Sequence, residues 1–437
     1  MAAGYSGIGF TGRGSGAGED FVIPKPRAPL GDAPSMGAGS RLLAARVHRS
    51  AIVVDTHADT PQRLLDAHYD LADARRGGDL NLDSVRRGNL SAEFFSIWVE
   101  PALYKGEYAR RTLELIDAVK RQVNRHSDRI VFADSSEAIR RAHREGKFAA
   151  LMGIEGGHSI ENSLGLLRQY YDLGVRYMTL TWSNSNGWAD SSGDVNDRRV
   201  RHTARGLTRF GEEVVLEMNR LGMMVDLSHV SDRTFYRAQA ISRAPVFASH
   251  SSARALCDHP RNMTDDMLLA VAHTGGPRSK GGVVQVNFFS GFISQAYRNA
   301  LRSIKPKVDR LVHAARRRAK SRGQVFSHEE LERIRRQFAR KIPRPPLSVL
   351  IDHIDHIANV AGVDHVGLGS DFDGVGGQLP DGLDSPADLP KVTRTLLERG
   401  YSTRDCRKVL GENLLRVFRE VELVGVKMRG RSPTGGP

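Results

Sequence analysis

Short runs of apolar, often β-branched residues recur along this chain, and between them lie longer stretches whose apolar positions repeat every three to four residues. The runs fall at 51–55, 93–99, 148–154, 175–181, 222–228, 245–249, 282–288 and 365–369. Near-continuous apolarity over such short spans predicts strands buried on both faces. The intervening stretches predict helices over 108–125, 135–145, 162–172, 206–221, 231–240, 264–273, 347–361 and 403–419. Eight strands alternating with helices predict a parallel sheet closed as a (β/α)8 barrel of TIM type. A doubly wound open sheet is the fallback, but no Gly-x-Gly-x-x-Gly turn follows the first strand.

Polar residues stand at the ends of these apolar runs, where an apolar core does not tolerate them without partners. The first run ends in His57 and Asp59, the third in Glu155, the fifth in His229, the sixth in His250 and the eighth in Asp371. A barrel of this type gathers its active site at the C-terminal strand ends, so three imidazoles and three carboxylates converge on one face. Each alone reads more simply as a hydrogen-bonded structural residue. Six together point to divalent metal, which satisfies them jointly. A single tetrahedral zinc takes three protein ligands and a water, so this inventory exceeds one site; a carboxylate shared by two ions about 3.5–4 Å apart accommodates the surplus. Glu155, set among Gly153, Gly156 and Gly157, suits the shared position because small neighbours permit close approach.

Charge changes the picture in one segment. The chain carries a formal +14 over 437 residues, and sixteen Lys and Arg against four acidic residues between Arg298 and Arg344 supply most of it. With Phe326 and Phe338 its only aromatics, this stretch reads as a solvated insertion of two basic amphipathic helices over 298–345, the second N-capped by Ser327. No specific nucleic-acid partner is expected from it. Domain organisation follows: a Gly/Ser/Pro-rich tail over 1–45, one barrel domain over 46–428 containing the insertion, and a tail over 429–437. No apolar run is long enough to span a bilayer. The first 45 residues lack the basic start and apolar h-region of a signal peptide, and Cys257 and Cys406 form no disulfide framework, so a cytoplasmic location is expected.

Several collinear segments carry a resemblance: "DTHAD", "GIEGGHSIENSLGLLRQYYDLGVRYMTLT", "NRLGMMVDLSHVS", "APVFASHSSARALCDHPRN", "VNFFSGFIS", "DHIDHIANVAG" and "GLGSDFDG". Over residues 48–297 and 346–422 the chain resembles the membrane dipeptidase (renal dipeptidase) family of binuclear zinc peptidases. The resemblance implies a metallohydrolase barrel that cleaves dipeptides, including those with a C-terminal D-residue, works with two zinc ions per subunit, and forms a homodimer. It implies that His57 and Asp59 hold the first zinc, that His229 and His250 hold the second, and that Glu155 bridges. It further implies that Asp371 handles the proton of the bridging water and that Arg261 binds the substrate carboxylate, a role suited to a bidentate guanidinium. The chain departs from the family at Trp182, where many members carry His after "YMTLT"; an indole donates one hydrogen bond but carries no proton or charge.

Two other functions compete. A different binuclear amidohydrolase suits the strand-end pattern, but those commonly bridge their metals with a carboxylated Lys, and no Lys occupies a strand end. A barrel that binds a ligand without hydrolysing it is favoured by Trp182 and opposed by the intact ligand set. His353 and His356 on one helix, and His158 in its loop, read as structural; Ser251 and Ser252 beside His250 lack the Gly-x-Ser-x-Gly elbow of a serine nucleophile.

Overall fold

The computed structural model describes residues 38–430 except 77, 201, 204, 325 and 327. All eight expected strands form: β1 (Val53–Ala58), β2 (Leu90–Trp98), β4 (Phe148–Glu155), β5 (Val175–Thr179), β6 (Met224–Asp226), β7 (Phe247–Ala248), β8 (Val283–Asn287) and β9 (Val366–Gly369). A further strand, β3 (Ile130–Phe132), pairs with the start of β4; at three residues it is too short to stand out as a periodic signal. Every pairing is parallel, in the order β1-β2-β4-β5-β6-β7-β8-β9. The seam joins at the strand tops, where Asp371 N–H donates to His57 O at 2.9 Å and Asp59 N–H to Phe372 O at 2.8 Å. The result is a nearly closed (β/α)8 barrel.

Why the strands read as continuous apolar runs is visible in where alternate side chains go. Val53, Phe95, Met152, Met178, Val225 and Ala248 join one apolar cluster, while their neighbours Val54, Phe94, Leu151, Tyr177, Met224 and Phe247 join another. Successive side chains leave opposite faces of a strand, and here both faces are covered, so neither position is left to be polar.

Three expectations need correction. The helix Ala38–Ser50 begins inside the stretch assigned to the N-terminal tail; its Ala44 and Val47 are buried, so packing rather than the Gly/Ser-rich composition decides its state. Residues 1–37 and 431–437 lie outside the described residues, and the last helix, Asn413–Gly430, passes the boundary placed at 428. The helix expected over 403–419 breaks into Thr403–Arg407, a π-turn over Lys408–Glu412, and Asn413–Gly430. A Cβ on Gly411 would sit 2.4 Å from Ile52 O, so the break lets the helical segment press against the start of β1.

The insertion forms the two expected helices, Gln295–Ser321 and His328–Ala339, and Ser327 lies outside the described residues. They meet through a small core of their own, Ala315, Ala319, Phe326, Leu331 and Ile334, with Val308 and Val312 against it. Their position departs from a solvated appendage. Arg298, Leu301, Arg302, Ile304 and Lys305 of the long helix, with Leu331 and Arg335 of the second, wall the cavity at the barrel mouth. Leu301 and Ile304 are half-buried there and Arg298 is buried, so the start of the long helix packs against the mouth while much of the rest stays exposed. No described helix is long and apolar enough to cross a membrane.

Candidate active site

The strand ends deliver the six anticipated polar residues to one place. Glu155, the last residue of β4, points its carboxylate between two imidazole groups: Oε1 lies 2.8 Å from His229 Nε2 and 3.6 Å from His250 Nε2, and Oε2 lies 3.5 Å from His57 Nε2. His57 Nε2 is also 3.9 Å from Asp59 Oδ2, and the Nε2 atoms of His229 and His250 approach to 2.9 Å. Donor atoms of His57, Asp59 and Asp371 cluster within 4.8 Å of one another, as do those of His57, Glu155 and His250. His57 and His250 are sealed behind the cavity, whereas Asp59, Glu155, His229, Asp371, Arg261 and Trp182 line it.

Backbone geometry explains how short strands aim these groups. His229 and Asp371 both adopt φ of +66°, a left-handed conformation that non-glycine residues rarely take and that costs about 1–3 kcal/mol. The turn after β6 is held by the His229 carbonyl, which accepts from Ser192 N at 2.8 Å and from the hydroxyls of Ser191 and Ser192. Two glycines clear space. A Cβ on Gly374 would meet Asp59 Oδ2 at 2.1 Å and Asp371 Oδ1 at 2.3 Å, and one on Gly153 would strike the Tyr177 ring.

Partners behind the imidazoles fix their tautomers. Tyr177 donates its hydroxyl to Thr56 O at 3.0 Å, so its oxygen accepts from His57 Nδ1, also at 3.0 Å. Ser249 repeats the device, donating to Asp226 Oδ2 at 2.6 Å and lying 2.7 Å from His250 Nδ1. In both cases the acceptor holds a proton on Nδ1, so Nε2 is the nitrogen left to ligate once a bound cation replaces its proton, the arrangement a metal-ligating histidine requires. Asn287 Nδ2 donates to Asp371 Oδ2 at 2.9 Å, and Ser96 donates to Glu155 Oε2 at 3.1 Å.

Electrostatics without an ion are frustrated. Burial pushes Glu155 up, but the charge on His57 and the adjoining His229 and His250 imidazoles outweigh it and hold the carboxyl well below its usual range. Burial likewise opposes charge on His57, yet Glu155, Asp59 and Asp371 raise it to about 10. His229 falls to about 4 through burial and the Arg261 charge, and His250 falls well below its usual value through burial and the His57 charge. Asp59 and Asp371 are both raised, by burial first. His57 Nε2, Asp59 Oδ1 and His229 Nδ1 remain buried with no hydrogen-bond partner. Three buried atoms without partners, within a cluster of three imidazoles and three carboxylates, fit divalent cations.

A model of the membrane dipeptidase family (peptidase family M19) matches residues 42–432. The chain belongs to the membrane dipeptidase family. Among solved structures, the chain is similar to the probable dipeptidase PvdM from Pseudomonas aeruginosa, at 26% identity over 89% of this chain and 100% of that one, with a TM-score of 0.74. It is also similar to a metallo peptidase from Rhodobacter sphaeroides liganded with a phosphinate mimic of the dipeptide L-Ala-D-Ala, at 24% identity over 85% of this chain and 100% of that one, with a TM-score of 0.67. An amidohydrolase from Pseudomonas aeruginosa matches at 25% identity over 86% of this chain and 98% of that one, with a TM-score of 0.63.

The remaining residues of this dipeptidase-family chain divide cleanly. Arg261, on the loop after β7, donates to Ser251 Oγ at 3.3 Å and to His250 O at 3.1 Å, while its Nε has no partner. Trp182 packs its ring 4.8 Å from Trp98 and 6.4 Å from His229, presenting an apolar wall. His353 joins two loops, taking the Ala253 N–H at 3.0 Å and reaching Ile293 O at 3.0 Å; His356 pairs with Asp265 and His158 with Val99 O. Ser251 serves Arg261 and Ser252 bonds Asn287 O, so neither forms a serine–histidine pair. Sequence reasoning missed Tyr177, Ser249, Asn287 and Asp226. Polar side chains inside apolar runs ("RYMT", "VDLS", "FASH", "VQVN") were the available signal.

Proposed function

We propose that the chain hydrolyses dipeptides with two zinc ions, one held by His57 and Asp59, the other by His229 and His250, with Glu155 shared between them. The observation that carries this reading is Glu155: one buried carboxylate directs a separate oxygen at each group of imidazoles. Ions bound there lower the pKa of water towards neutrality and polarise the substrate carbonyl.

The chain's own residues supply the rest. Asp371, steadied by Asn287, accepts the proton of the attacking water and returns it to the leaving amine. Arg261, pinned by Ser251 and the His250 carbonyl, presents its free Nε edge to the substrate's C-terminal carboxylate. A guanidinium that binds the terminal carboxylate in the same cavity as the imidazole and carboxylate cluster selects substrates with a free C-terminus near the reacting bond, dipeptides over longer peptides. Trp182, packed against Trp98 beside His229, adds an apolar surface to the cavity and offers no proton.

The test is amine release from L,L and L,D dipeptides by zinc-supplemented protein with and without chelator. Chelator-sensitive turnover supports the reading; a zinc-loaded protein that releases no amine from any of them refutes it. Trp182 alone favours a second reading, a ligand-binding barrel, for which Trp182→His would confer turnover that the native chain lacks. By family resemblance the proposal includes a homodimer, which sedimentation would check.

A further inference from the structure

The insertion contributes to the cavity a guanidinium that the hydrolytic scheme leaves unused. Arg298 sits in the first turns of the long helix, lines the cavity, and is 6% exposed. Its Nε and Nη1 have no hydrogen-bond partner, and it makes no ion pair among the described residues. Its charge is opposed by burial first and then by Arg302, one helical turn on, which faces the same space. An unpaired buried guanidinium is costly, and a cavity wall is where a ligand can supply the missing anion.

Its location names the part of the substrate it meets. His259 and Phe292 stack at 4.6 Å and line the cavity; Arg261 lies over Phe292 at 5.2 Å and donates its backbone N–H to His259 Nδ1 at 3.1 Å. The same His259 feels Arg298 as its strongest neighbouring charge, ahead of Arg261. Arg261, Arg298, His259 and Phe292 thus line one cavity, in which Arg261 is assigned to the substrate's C-terminal carboxylate. The cavity, about 430 Å3, is roomy enough for a dipeptide with an extended side chain.

We propose that the insertion makes this site selective for dipeptides whose C-terminal residue carries an acidic side chain, with Arg261 holding the α-carboxylate and Arg298, supported by Arg302, holding the second carboxylate. This rests on the dipeptidase reading. It turns the insertion's basic character into a specificity element for a small substrate with two carboxylates.

The experiment compares phosphinate analogues of Ala-Asp and Ala-Glu with those of the neutral isosteres Ala-Asn and Ala-Gln, in both configurations at the second residue, by calorimetry on the zinc-loaded protein. Steady-state hydrolysis of the corresponding dipeptides runs alongside. A charge-assisted hydrogen bond at a desolvated guanidinium is expected to favour the acid over its amide by about 10- to 100-fold in at least one configuration. Arg298→Met, which keeps the apolar stem, should bring that ratio close to one while leaving affinity for the amide analogues in place; Arg298→Lys should restore part of the preference. A native ratio near one overturns the proposal without any variant being made. So does a preference that persists in folded Arg298→Met. If no analogue, acidic or neutral, binds the zinc-loaded protein, the dipeptidase reading itself has failed, an outcome distinct from indifference to charge.

Discussion

The barrel mouth and the insertion border the same cavity but are built in opposite ways. At the mouth, the residues proposed as ligands lie on or within three residues of the strand ends, and their aim follows from the backbone: a fixed pleat, two left-handed turns and a seam bonded between His57 O and Asp371 N. In the insertion, the cavity-facing residues ride on two helices whose mutual packing depends on a small cluster of their own. Strands pair on both sides at the mouth, whereas the insertion is held mainly by side-chain packing, with a backbone bond from Asp381 N to Pro345 O at its end. Chemistry that needs sub-ångström placement sits on the first, and recognition that tolerates adjustment sits on the second.

The sharpest test of the mouth is Asp371→Asn. Removing the proton carrier while keeping the shape should lower kcat by about 10²- to 10⁴-fold with zinc content unchanged, and native kcat in this variant would end its assigned role. Ser249→Ala comes next. Without the hydroxyl that accepts from His250 Nδ1, zinc affinity should fall about 10- to 100-fold, read by competition with a chromogenic chelator; unchanged affinity would mean the ring is held by other contacts.

The insertion predicts a different response. Leu331 is 7% exposed in the small helical cluster, and Leu331→Ala should cost about 2–3 kcal/mol locally. Amide exchange should accelerate in 295–339 and stay unchanged in the strands. Acceleration throughout the barrel would show that the insertion and the barrel mouth are not independent in stability.

The smallest effect concerns the polar interior beneath the ligands. Glu93 on β2 is fully buried, and burial first, then Asp55, raises its carboxyl well above the usual 4.5. A carboxyl that holds its proton more tightly when folded contributes stability that is complete below the unfolded value and is lost as pH rises through the folded one. Glu93→Gln cannot ionise, so its unfolding temperature in chelator should gain steadily on the native protein as pH climbs above 4.5. A pH-independent difference would show that Glu93 does not titrate in this window.

Legibility in the sequence tracked the same divide. His57, Asp59, Glu155, His229, His250 and Asp371 could be found because each ends an apolar run, and the runs could be found because both faces of each strand are covered. Strand β3 was invisible at three residues, and the helix Ala38–Ser50 was hidden by the Gly/Ser-rich composition before it. Tyr177 and Ser249 went unread because one polar residue inside an apolar run gives no indication of which imidazole it supports.

The order of strands and helices, the ligand types and their places at the strand ends were therefore determined by the sequence itself, because periodic burial and the position of polar residues in an apolar run are local properties. Which imidazole faces which carboxylate oxygen, which hydroxyl sets each tautomer, and that Arg298 enters the cavity instead of water were decided only by the tertiary structure. Those contacts join residues far apart in the chain, and their energies exist only once the barrel has closed and the insertion has packed across its mouth.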